Sequence, residues 1–110
     1  MQKLVNYHSN LAHGTVFRFP GSYPHEKYVD LILVEFPDND RKFGLVVSTG
    51  HKAGLTLVKL PKEAESNNFD GIDRQWVIDN WNKWIYETCN VDDVYVIQNY
   101  PIPVIDYSKP

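Results

Sequence analysis

Three groups of residues have the types that chemistry needs. The first is Gly44–Lys52, which reads GLVVSTGHK. A phosphate-binding loop needs four residues between its glycines, then Lys and Ser/Thr, at the mouth of a helix. Here five residues separate Gly44 from Gly50, His51 precedes Lys52, and Ala53 follows. The flanks predict strand, turn, strand, so the segment reads as a glycine-bearing β-turn. The second group is Ser48, Thr49 and His51, a possible nucleophile and base. A working triad also needs a third group that orients the base, and closeness on a turn supplies none. Cys89 near a helix end reads as a small, partly buried side chain rather than a nucleophile.

The third group is metal-ligating or acidic. The four histidines are His8, His13, His25 and His51, with no pair beside a second pair, and Cys89 is the lone cysteine. Zinc needs three or four convergent ligands, and Asp92-Asp93 lacks the spacing of a calcium loop. Glu63/Glu65 and Asp70/Asp73 are paired carboxylates on a polar loop, where nothing raises a carboxyl for acid catalysis. The sequence therefore assigns no catalytic residue, no metal and no cofactor, and the expectation is a protein that is not an enzyme.

What could position such residues follows from composition. The chain has 110 residues, 43% of them apolar, 14% aromatic and 23% charged. This suits one globular domain, residues 1–110, with a core that needs no staple. No apolar run approaches the ~18 to 20 residues of a membrane helix. Residues 1–5 carry no apolar signal region and no glycosylation sequon occurs. The expectation is a cytoplasmic protein with no membrane partner. Residues 1–60 hold seven Lys/Arg and five Asp/Glu, whereas residues 61–110 hold four and nine. A nucleic-acid binder would show a basic patch. The unbalanced half is acidic, which argues against direct nucleic-acid binding and for a basic partner.

The elements predict an α+β domain. Gly14–Phe19 reads as a strand, and Tyr28–Phe36, Phe43–Ser48 and Leu55–Leu60 read as three strands of an antiparallel meander. Tyr28–Phe36 (YVDLILVEF) is apolar on both faces and so is expected to be central and covered on both sides. Pro37–Asp40 and Gly50–Gly54 supply turns, and Pro61–Gly71 is a polar loop. Asp73 caps a helix from Arg74 to about Glu87, with Ile72 and Val77 as a hydrophobic staple. Trp76, Val77, Ile78, Trp81, Trp84 and Ile85 fall on one arc, which favours core packing over an aromatic cage. Val94–Tyr100 closes the sheet. The tail from Pro101 is expected to run along the body, anchored by Ile102, Val104, Ile105 and Tyr107. The picture is a strongly bent antiparallel sheet of five or six strands under one Trp-rich amphipathic helix.

These segments resemble a known family. The residues that carry the likeness are Tyr7-His8-Ser9, Gly14–Pro20 (GTVFRFP), Tyr28–Val34 (YVDLILV), Gly44–Val47 and Gly50–Leu55 (GHKAGL). Trp76-Val77, Asn80–Tyr86 (NWNKWIY) and Asp93-Val94-Tyr95 complete it. Over about residues 7–100 the chain is similar to the immunity protein 45 family of polymorphic-toxin and contact-dependent growth inhibition systems. The resemblance implies a cytoplasmic antitoxin that binds the C-terminal toxin domain of a secreted effector in a fixed ratio and occludes it. The toxins are commonly nucleases with basic clefts, so acidic side chains could stand in for phosphates. The family pattern carries no catalytic residues.

On this reading Glu63, Glu65, Asp70, Asp92 and Asp93 are the candidate charge contacts, with Tyr23 and Tyr28 as aromatic anchors. The sheet edges could also take a partner strand. Two alternatives remain: a small-ligand-binding β domain with a pocket between the Trp helix and the sheet, and a small hydrolase using His51.

Overall fold

A computed structural model describes residues 1–21, 27–101 and 106–108. Six strands form one antiparallel sheet: β1 (Gln2–Lys3), β2 (Val16–Pro20), β3 (Tyr28–Glu35), β4 (Phe43–Val47), β5 (Thr56–Lys59) and β6 (Tyr95–Ile97). Their order is β1-β6-β2-β3-β4-β5. The expected three-strand meander is β3 to β5, and β2 extends it on the other side of β3. The chain then returns along a helix to lay β6 beside β2, and β1 pairs with β6 on the outside. The fold is α+β, as the sequence predicts. Two features differ. The dipeptide strand β1 is too short to show a period of two. The closing strand spans three residues rather than seven and stops before Tyr100.

The helix starts where the sequence places it. The Asp73 carboxylate accepts from the Trp76 amide at 2.9 Å, which satisfies one of the unpaired donors of the first turn. Ile72 and Val77 are both fully buried. Regular α-helix, α1, spans Arg74–Asn80, and Trp81–Ile85 continues it as a π-turn. The Tyr86 amide closes that turn on the Trp81 carbonyl at 2.9 Å, five residues back. The Asn82 side-chain amide lies 2.6 Å from the Cys89 carbonyl and 3.1 Å from that of Glu87. A single side chain thus caps the helix end and the reversal after it.

The core lies between this helix and one face of the sheet. Trp81 is completely buried. Its ring centroid is 5.4 Å from that of Phe19, nearly perpendicular, and 5.9 Å from Phe17. Leu31, Leu33, Leu45 and Val96 join the same cluster. Trp76 and Trp84 pack on its margin, their rings 5.9 Å apart. The Trp-rich arc is therefore core, as its periodicity indicates.

β3 corrects one expectation. It is central in strand order, but its two faces differ. Leu31 and Leu33 are fully buried, while Ile32 and Val34 are half-buried. The helical layer covers one side of the sheet only. Tyr107 is 88% exposed and does not anchor the tail, since a ring that buries so little area gains little from packing. Ile102, Val104 and Ile105 lie outside the described residues.

Candidate partner-binding surface

The loop after β5 is more ordered than its polar composition suggests. Lys62–Ala64 forms a 3-10 turn with Ala64 fully buried. Glu65 and Leu11 each make an isolated β-bridge to Ile72, and the Asp73 amide donates to Ala64 O at 2.7 Å. Gly71 makes this possible. A Cβ there would collide with the Leu11 carbonyl and the Phe69 ring. The two buried ends of the loop hold its acidic side chains outward.

Each candidate residue has a definite place. Glu63 is exposed on the 62–64 turn, and Glu65 is half-buried beside Ile72. Asp70 is exposed but already paired, since Lys42 Nζ donates to its carboxylate at 2.5 Å. That hydrogen bond holds the Asp70 carboxyl below its usual 3.8 and raises the Lys42 ammonium. Asp92 and Asp93 are exposed on a 3-10 turn, Val91–Asp93, capped by the Asn90 side chain at 2.9 Å.

These acidic turns are related through the helix. The 62–64 turn and a 3-10 turn at Leu4–Asn6 both pack on α1, and the latter packs on 91–93. Arg74 ties the helix to the 4–6 turn by donating to the carbonyls of Leu4, at 3.3 Å, and Val5. Tyr28 is elsewhere. It shares the helix-free face of the sheet with Arg18 and Asp30, because alternate strand residues face the same way. The Arg18 guanidinium sits 4.5 Å from its ring centroid. Tyr23 lies outside the described residues, as does His25.

The residues with the most developed polar geometry escaped the sequence reading. Asp30 is 1% exposed. Arg18 faces it across the β2–β3 ladder and donates twice, from Nε at 2.7 Å and Nη2 at 2.8 Å. Tyr100 donates its hydroxyl to Asp30 Oδ2 at 2.9 Å, and Ser48 Oγ meets the same hydroxyl. Thr49 Oγ1 accepts from the Asp30 amide at 3.1 Å. Burial pushes the Tyr100 phenol up, and the hydrogen bond to Asp30 raises the Arg18 guanidinium. The available signal was a carboxylate between apolar residues in YVDLIL and a lone guanidinium inside FRF. Both carboxylate oxygens of Asp30 are engaged, Oδ1 by Arg18 and Oδ2 by Arg18 and Tyr100, so the cluster acts as a latch between strands. It also ties up the Ser48 and Thr49 hydroxyls beside His51.

Among the described residues, no group of three or more His, Cys, Asp or Glu side chains is placed to hold a metal ion. No helix among them is long and apolar enough to cross a membrane. The space between helix and sheet, where a ligand pocket was an alternative, is filled by Trp81, Phe17 and Phe19. Grooves of about 390 Å³ and about 350 Å³ lie instead beside His13 and Ile32–Glu35, and beside Phe36–Asn39.

The described residues form a small antiparallel sheet under one helix, with exposed acidic turns. Comparison with protein families names the kind. The model of the immunity protein 45 family matches residues 4–96, and the chain belongs to that family. No curated protein and no solved structure matches it.

Proposed function

We propose that this protein is a cytoplasmic antitoxin that acts as one domain, without catalysis, by binding the toxin domain of an effector encoded beside it. Membership of the immunity protein 45 family carries this reading. In it, the protein occludes its target in a fixed ratio, and the target is a nuclease with a basic substrate cleft. The exposed carboxylates of Glu63, Asp92 and Asp93 are the contacts best presented for such a cleft. Asp70 joins them by exchanging Lys42 for a cation of the toxin, and Glu65 backs the turn that presents Glu63. Tyr28 belongs to a second contact region, since it lies on the opposite sheet face, and Tyr23 is a contact proposed from the sequence alone. Charge complementarity of this kind speeds association and selects partners.

The test is co-expression with the C-terminal domain of the effector encoded next to this gene. The expected outcome is a domain lethal alone, harmless with this protein, and copurifying in a fixed ratio. Reversing Glu63, Asp92 and Asp93 together should slow association and steepen its salt dependence. Unchanged binding after reversal of all five acidic candidates would remove the acidic-mimic mechanism.

A further inference from the structure

The sheet ends at β5, and the edge there has a chemistry of its own. β5 is bonded to β4 and is last in strand order. The Leu60 amide donates inward to Phe43 O at 2.8 Å. Amides alternate in direction along a strand, so the Lys59 amide points out of the sheet. Leu55 is 60% exposed and Leu57 39% exposed. They are two of the few large apolar side chains that the core leaves in water. From Arg41 to Lys62 the sequence has five Lys/Arg and no Asp or Glu. Lys42 and Lys59 pair with Asp70 and Asp38. Arg41 spans the edge, 3.4 Å from the Lys59 carbonyl and 6.0 Å from the Trp84 ring centroid.

We propose that the outer edge of β5 is a strand-addition site for an extended segment of the toxin, apolar at alternate positions and flanked by acidic residues. This rests on the antitoxin reading and specifies how the partner is held. An unpaired edge offers backbone hydrogen bonds, and the neighbouring side chains select the sequence that joins it. A second copy of this chain fits poorly. Antiparallel pairing of two β5 edges would bring Lys52 of one copy toward Lys62 of the other, and like charges facing across a strand pair destabilise it. A lysine, a bulge and a short strand are the usual devices that protect an edge, and β5 has all three. Lys59 is already met by Asp38, so Lys52 and Lys62, at the two ends of the edge, are the cations that repel a second copy and attract an acidic strand. The edge also runs through Pro61 into the 62–64 turn that carries Glu63, so one partner can touch both.

The experiment uses the full chain and the purified toxin domain encoded beside it. Binding is measured for the wild type and for Leu57→Asp with Lys52→Glu, with Leu57→Thr as the mild control. Amide hydrogen exchange follows residues 56–59 in the wild-type complex. The expected result is about tenfold or greater loss of affinity in the double variant, little loss in the control, and new protection at 56–59. A wild-type complex with no protection there, or an equally tight folded double variant, overturns the edge site and leaves the antitoxin reading standing. No complex with the wild type overturns both. Protection at 56–59 without toxin, accompanied by dimerisation, identifies a second copy as the occupant and also overturns the proposal. If the double variant fails to fold, the exchange measurement on the wild type decides.

Discussion

Arg18 and Asp30 stand directly opposite each other on β2 and β3, and two guanidinium nitrogens of one reach both carboxylate oxygens of the other. The partners are unequally buried. The Asp30 side chain is 1% exposed and that of Arg18 is 31% exposed. Removing Arg18 strands a buried anion, whereas removing Asp30 leaves a cation that can turn to water.

Arg18→Met should therefore cost about 3 kcal/mol of unfolding free energy. Asp30→Asn, which keeps much of the hydrogen bonding, should cost about 1–2 kcal/mol. Urea unfolding of the two variants measures both. If Asp30→Asn proves the more damaging, the asymmetry of burial does not govern the pair.

Trp81→Ala should cost about 3–5 kcal/mol, since it empties a site packed by Phe17 and Phe19. Trp84→Ala, at the half-buried margin, should cost clearly less. Of the three tryptophans, Trp81 should be the one whose fluorescence iodide does not quench, which single-tryptophan variants would show.

Gly71→Ala places a Cβ against the Leu11 carbonyl and the Phe69 ring. The ring can swing, but the carbonyl bonds the Ile72 amide at 2.9 Å. A destabilisation of about 1–3 kcal/mol is expected. Faster amide exchange across residues 64–73 would locate it in the acidic loop.

The Asp70 carboxyl should titrate below 3.8, because Lys42 stabilises its charged form. A lowered folded value means that the pair's contribution is present above 3.8 and is lost as pH falls through the folded value. Carboxyl NMR in the wild type and in Lys42→Met tests this, with the midpoint in the variant returning toward 3.8. The same sign holds for Asp38, whose carboxylate accepts from the amides of Asp40 and Arg41.

The Cys89 thiol is 8% exposed, and burial raises its pKa above the usual 9.0. Alkylation by iodoacetamide should be slow at neutral pH, because the thiolate is the reacting form. It should reach the rate of a free thiol on unfolding. Rapid labelling of the folded protein would contradict this burial.

Strong local signals made much of the fold legible. The β-branched and aromatic run in GTVFRF, the proline turn after Phe36 and the cap at Asp73 each locate an element to within a residue or two. The helix end was less so, because the π-turn depends on where Asn82 finds carbonyls after the chain reverses. The latch around Asp30 was hidden for a similar reason. Arg18, Ser48 and Tyr100 lie far apart in sequence and meet only through strand register. For the candidate surface, the sequence showed which residues are acidic, but not that Lys42 holds Asp70 or that Tyr28 faces the other way.

The strand order carries a consequence for synthesis. β2 to β5 are neighbours in sequence and can zip together as the chain emerges. β1 pairs only with β6, more than ninety residues later. β2 also waits for β6 along Val16–Arg18. Until residues 95–97 have left the ribosome, the nascent chain holds an unfinished sheet with Phe17 at its open flank. Closing so distant a pair is a slow step, and an unpaired strand invites wrong partners. Among the described strands, β6 is the one that joins β1 to the other four.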